Sequence, residues 1–256
     1  MNDVLERRFA AMGARVSLPD RPWCGAPRID VVRGGFDISF AGSGSAVDVE
    51  VIDVRPRDRH LLLLVRDGGE KSKFLCGHDE RHWFVAAIPE SARGVTGVTT
   101  AKAALQPDAV QQRVARVKPK DRFRRRNAAY VRQGEWFFVP AALEAEPEPS
   151  QVRHDEPLTR GRGKAHVMQY AFRLGGRLVY ANRRHPTGIS VARFHRLSDE
   201  ERRSGGWTQF VQDPEVYAKG YVRHPDHATI YLATWHRVHM NTEQGARAMR
   251  HVAFLD

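Results

Sequence analysis

Apolar and polar positions follow two rhythms in the first half of the chain. Val4, Leu5, Phe9 and Met12 recur at helical spacing, with Gly13 where a C-cap belongs, and so predict a short amphipathic helix over Asp3 to Ala11. From Arg28 to Pro89 the rhythm becomes that of strands. Ile29-Val31, Phe36-Ile38-Phe40 and Val47-Val49-Val51 alternate with polar neighbours, and apolar stretches follow at 60–66, 73–76 and 82–88. Arg33-Gly34-Gly35, Gly42-Ser43-Gly44 and Asp67-Gly68-Gly69 punctuate them, which predicts an antiparallel sheet of meander type.

Helical spacing returns between Thr99 and Lys118, with Pro107 at a helix start and Val110, Val114 and Val117 repeating every three to four residues. Trp83-Phe84-Val85 and Trp136-Phe137-Phe138-Val139 each run toward a proline, which predicts two similar hairpin arms with aromatic, buried strands. The stretch 140–150, rich in Pro, Glu and Ala, has the composition of an exposed linker.

Beyond it the pattern is mixed. Leu178-Val179-Tyr180 reads as a strand, Val191 to Arg203 as a helix, and Val216 to Val222 with Thr229 to Trp235 as two strands around the turn His224-Pro225-Asp226-His227. Asn241 is placed to N-cap a closing helix reaching about His251, with Gln244 at the capping-box position. The expected class is α+β: an antiparallel, β-rich unit over 1–140 with a basic helical connector at 113–126, a linker at 141–152, and a mixed α+β unit over 153–256.

Charge sharpens this picture. The net charge is +11, and basic excess of this size attracts polyanions, nucleic acid first among them. Arg113, Arg116, Lys118, Lys120, Arg122, Arg124, Arg125 and Arg126 oppose only Asp121, and such a run repels itself unless an anionic partner or an acidic surface compensates. A second basic stretch, Arg160 to Lys164, has an Arg-Gly-Arg core that resembles an AT-hook without its flanking proline. Arg160, Arg162 and Lys164 are its phosphate-contact candidates. The alternative partner for these surfaces is an acidic protein or RNA, with the chain as a noncatalytic accessory or assembly subunit.

No apolar stretch approaches the roughly 20 residues that cross a bilayer, and the first residues lack the apolar core of a secretory signal, so no membrane partner and a cytoplasmic location are expected. Two cysteines, Cys24 and Cys76, make no disulfide framework and fit a reducing compartment.

Four of the twelve histidines, His224, His227, His236 and His239, fall between Tyr221 and Asn241. Imidazole is the commonest protein metal ligand, and these four are the candidates for a divalent metal, zinc or magnesium. A straight strand over 228–235 would separate His227 from His236 by about 30 Å, so the group divides into a turn pair and a strand-end pair. His78-Asp79-Glu80-Arg81-His82 has the two-histidine spacing of zinc peptidases, but Asp79 stands where their general base would be and a hairpin loop is the better reading.

Pro225-Asp226-His227, Asn241 and His251 resemble, in order and spacing, the HNH or His-Me finger nucleases. The resemblance implies that His227 activates water, Asn241 orients it and His251 helps hold a divalent cation. The leading expectation is therefore a nucleic-acid-binding protein with metal-assisted phosphodiester cleavage at His227, Asn241 and His251. A metal-dependent hydrolase of a small substrate is a further alternative.

Overall fold

The computed structural model describes residues 2–18, 28–39, 47–67, 69–160, 163–245 and 252–253. Cys24, Phe40, the turn at 42–44, Gly68, Arg162 and His251 lie outside these, as does the Gln244 side chain. The chain is mixed and strand-rich, 48% strand against 21% helix, so sheets set the architecture and helices only cover them. Among the described residues no helix is long and apolar enough to cross a membrane.

The opening helix α1 (Asn2–Ala11) buries Leu5 and Phe9, with Met12 just past its end, whereas Val4 points outward. It leads into β1 (Arg15–Ser17), β2 (Arg28–Val32) and β3 (Gly35–Ser39). The four strands β4 (Asp48–Arg55), β5 (His60–Asp67), β6 (Glu70–Asp79) and β7 (His82–Ala87) form a separate antiparallel meander. The single meander expected over Arg28 to Pro89 is thus two sheets. β2 and β3 pair with each other, with β1, and with the distant β17 (Val252–Ala253), in the order β1-β3-β2-β17.

Strand β5 explains why Leu61 to Val65 is continuously apolar. Leu61, Leu63 and Val65 face the core shared with Phe9, Phe36 and Phe74, while Leu62 faces a second core. That second core is completed by Val98 and Ala101 of α2 (Val98–Ala104). Both faces are covered, so both must be apolar.

Helix α3 (Asp108–Val114) follows and is short. The expected basic helical segment 113–126 is corrected here: only its first two residues are helical, and the rest runs through a 3-10 turn at Pro119–Asp121 into loop. Pro119 has no backbone N–H and its ring clashes with the preceding turn, so the helix cannot continue through it.

The second large sheet has the order β10-β11-β15-β16-β9-β8, built from β8 (Val131–Gln133), β9 (Trp136–Pro140), β10 (Arg153–Leu158), β11 (His166–Leu174), β15 (Glu215–Arg223) and β16 (Ile230–Met240). Residues 131–140 therefore belong to the sheet of the C-terminal half, and the boundary expected at 140 falls inside it. The segment after β9 also does more than link. Ala141, Leu143 and Val152 cover Phe172, Tyr217 and Trp235, and Glu146 accepts a hydrogen bond from the Trp235 indole at 2.7 Å.

Between β11 and β15 the chain makes a small excursion: β12 (Arg177–Asn182), β13 (His185–Ser190), α4 (Val191–His195), α5 (Asp199–Ser204) and β14 (Thr208–Gln212), with strand order β13-β12-β14. The single helix expected over Val191 to Arg203 is two, because Ser198 caps a new start with Glu201 in a capping box. After Asn241 the chain makes a 3-10 turn, Thr242–Gly245, and the rest of the expected closing helix, 246–251, lies outside the described residues.

Candidate metal centre

Three segments converge on one point. His166 opens β11 and is almost fully buried, and the turn between β15 and β16 carries His224 and His227. Pairing puts them together. Val167 lies opposite Arg223, so the residue before Val167 meets the residues after Arg223. One ring nitrogen from each of the three histidines lies within 4.8 Å of the others, the one such trio among the described residues. Ring centroids are 4.2 Å apart for His166 and His224, and 4.7 Å for His224 and His227.

The third segment is the β8–β9 hairpin. Its turn, Gly134-Glu135, holds Gly134 at φ +57°, the position where a two-residue type II′ turn takes glycine. A Cβ at Gly134 would lie 3.0 Å from His227 Nε2 and 3.5 Å from His166 Nε2, so the missing side chain leaves room in front of both nitrogens. Glu135 Oε2 sits 3.9 Å from His166 Nε2.

The far side of the His166 ring is arranged to aim it. His166 Nδ1 is 2.9 Å from Gln133 Oε1, and the Gln133 amide donates to the carbonyls of Val222 and Ala228. Gln133 is buried, its two donor bonds fix its orientation, and its oxygen faces the ring. His166 therefore carries its proton on Nδ1 and presents a lone pair at Nε2. His227 Nδ1 faces Glu80 Oε2 at 3.5 Å without a hydrogen bond between them, so this buried nitrogen is unpartnered among the described residues.

Glu80 occupies the tip of the β6–β7 hairpin in the left-handed region, φ +48°, and also accepts from the Ala228 amide at 2.7 Å. Arg125 pairs with both Asp79 and Glu80, and Arg132 reaches Asp79 at 3.2 Å. His224 is set differently. Its Nδ1 accepts from the Asp226 amide at 3.1 Å and its Nε2 lies 3.3 Å from the Lys164 carbonyl, so its neutral ring carries the proton on Nε2.

All three imidazoles favour the neutral form. Burial pushes His166 down to about 3, with His224 and His227 adding to the effect. Burial also lowers His224 and His227. Neutral rings are the state a metal binds. Lys164 donates to Asp226 at 2.9 Å and holds its carboxyl below the usual range.

His224 and His227, with Gly134 and Glu135, line a cleft of about 1220 Å³ between the β4–β7 meander and the large sheet. His227 and Asn241 both line it, and the Asn241 Oδ1 is buried with no hydrogen-bond partner. Of the residues in the finger-nuclease resemblance, these two share a cleft and His251 lies outside the described residues.

The strand-end pair is not a metal pair. His236 and His239 lie within β16, in regular register against β9, and three residues apart on a strand means opposite faces. His236 is tied to the Thr234 carbonyl at 2.7 Å. Cys76 is buried in the N-terminal core, and burial pushes its thiol up, which removes it as a nucleophile.

Much of the basic run is engaged inside the chain. Arg113 donates to the Pro140 carbonyl, Arg122 to those of Val117 and Ala115, and Arg126 to that of Tyr231. Arg124 pairs with Asp121. Arg116, Lys118 and Lys120 are exposed. In the second basic stretch, Arg160 pairs with the buried Glu243.

His166, Gln133, Glu135 and Glu80 escaped the sequence reading as site residues. No local motif marks them, since their meeting depends on sheet register. No family model, curated protein or solved structure matches this chain.

Proposed function

We propose that the chain is a metal-dependent hydrolase of phosphodiester bonds in nucleic acid, centred on His166, His224 and His227. The observation that carries this reading is the trio of neutral imidazoles within 4.8 Å, with His166 aimed by Gln133 and His227 facing Glu80. A zinc-type ion at such a site would supply a water of lowered pKa and a positive charge beside the developing phosphate charge.

Glu135 stands close enough to take the proton of an attacking water or to complete the donor set. Asn241, with an unpartnered oxygen in the same cleft, is suited to orient that water. Ligand nitrogens around one zinc lie about 3.4 Å apart, so loading would draw the His224 turn inward, move the ring proton from Nε2 to Nδ1 at the cost of the bond from the Asp226 amide, and turn Nε2 from the Lys164 carbonyl toward the ion.

The net charge of +11 supports an anionic substrate, and Lys102, Arg124, Arg125, Arg132, Arg160 and Lys164 line the cleft beside Asp79, Glu135, Asp226 and Glu243. A reducing, cytoplasmic setting fits the free thiol of Cys76.

The test combines metal analysis with cleavage of labelled DNA and RNA. About one zinc per chain and loss of at least about 100-fold in cleavage for His166→Ala and His227→Ala are expected. Protein that takes up no stoichiometric metal, or cleavage indifferent to both substitutions, would end the proposal.

A further inference from the structure

The excursion between β11 and β15 opens on a strongly basic stretch. Residues 175–198 contain five arginines, Arg177, Arg183, Arg184, Arg193 and Arg196, and no aspartate or glutamate, with Asp199, Glu200 and Glu201 following at once. All five are exposed. Arg177 pairs with Asp213 and the charge of Arg184 acts on Glu201, but among the described residues no salt bridge ties Arg183, Arg184, Arg193 or Arg196. The basic run at 113–126 behaves oppositely, with most of its arginines on carbonyls or carboxylates.

These arginines stand on a stiff platform. In the β12–β13 turn the Asn182 side chain accepts from the amides of Arg184 and His185 and donates to the Gly205 carbonyl at 3.0 Å. Tyr180 stacks on Phe194 at 3.8 Å, and His185 stacks on Trp207. The hairpin tip with Arg183 and Arg184 is thereby fixed against the α4 region that bears Arg193 and Arg196. Guanidinium forks match phosphate oxygens, and a preorganised turn loses little entropy on binding them.

We infer that this excursion is a second contact for nucleic acid, engaging the phosphate backbone away from the histidine centre. The inference rests on the phosphodiesterase reading for its partner. Strand β11 runs from His166 to Leu174, and the excursion begins at the far end of it. Nine residues of strand span about 30 Å, which is about nine nucleotides at the rise of a stacked, helix-like strand. A long substrate can touch both places, and a short one only the centre.

Fluorescence anisotropy on protein held in a chelator separates the two contacts, with a labelled 6-mer and a labelled 20-mer of single-stranded nucleic acid. For R183E/R184E the 20-mer should bind at least about 10-fold more weakly, with a salt slope shallower by about 1.4, while the 6-mer is unaffected. An R7E/R8E variant on the exposed face of α1 carries the same charge change and should retain 20-mer affinity.

A wild-type chain that binds neither oligonucleotide overturns the inference. So does equal loss in the α1 variant, or retention of 20-mer affinity in R183E/R184E. Leu178, Phe210 and Val211 are exposed near these arginines, so capture by anionic vesicles that depends on Arg183 and Arg184, without 20-mer binding that depends on them, would also overturn it. Zinc uptake and hydrolysis of a small chromogenic phosphodiester should be the same in both variants. Their absence from wild type would refute the catalytic reading while leaving the excursion's effect on binding readable.

Discussion

Gly134→Ala tests the metal centre without touching a ligand. At φ +57° an alanine costs roughly 1–2 kcal/mol in backbone strain, whatever the surroundings. The new methyl would lie 3.0 Å from His227 Nε2 and 3.3 Å from His166 Cε1, inside ordinary contact distance. One or both rings must give by a few tenths of an ångström, in the space where their lone pairs point. A displacement of that kind resembles the loss of an aiming partner, which costs about 10–100-fold in metal affinity. Urea unfolding in chelator reads the strain, and competition with a chromophoric chelator reads zinc affinity. The expected result is a stability loss of about 1–2 kcal/mol together with at least a 10-fold rise in zinc Kd. Unchanged zinc affinity beside the same stability loss would show that no ion sits in front of Gly134, and the arrangement of the trio would need another explanation.

Other expectations follow from the same geometry. Glu80→Ala removes the carboxylate that faces His227 Nδ1 and should weaken zinc binding by about 10–100-fold, whereas equal affinity would make the Glu80 contact incidental. His60 is held neutral by burial, with Lys102 contributing, and is pushed down to about 4. Because the unfolded chain takes up that proton first, near its ordinary 6.5, this stabilisation is full above pH 6.5 and is lost as pH falls toward 4. It amounts to at most about 3 kcal/mol, and His60→Gln should flatten the pH dependence of unfolding in chelator by a comparable amount. A parallel dependence in the two proteins would refute the assignment. Phe138 is fully buried between β8 and β16, so Phe138→Ala should cost about 3–5 kcal/mol in urea unfolding, and a loss under 1 kcal/mol would mean that this sheet does not form the core described.

The legible and illegible parts of this chain divide by the range of the interactions that fix them. Leu61 to Val65, the two aromatic arms and the strands around His224-Pro225-Asp226-His227 were readable because alternation and turn residues are local signals. Those two arms prove more consequential than their repetition suggested: the tip of one supplies Glu80 and the tip of the other supplies Gly134 and Glu135, facing the histidines from two directions. That convergence is set by register, Val167 opposite Arg223 and Gln133 opposite Trp136, and no spacing along the chain encodes it.

Charge misled for a related reason. A count of arginines at 113–126 says nothing about carbonyls and carboxylates that arrive from Pro140, Asp79 or Tyr231. The four arginines at 183–196 that form no described salt bridge do not stand out along the chain, because uncharged neighbours dilute them. His236 and His239 supply the converse case. Once 230–240 is a strand, parity alone separates two residues three apart, so their exclusion as a shared site needed only the element type. The inclusion of His166 needed the whole sheet.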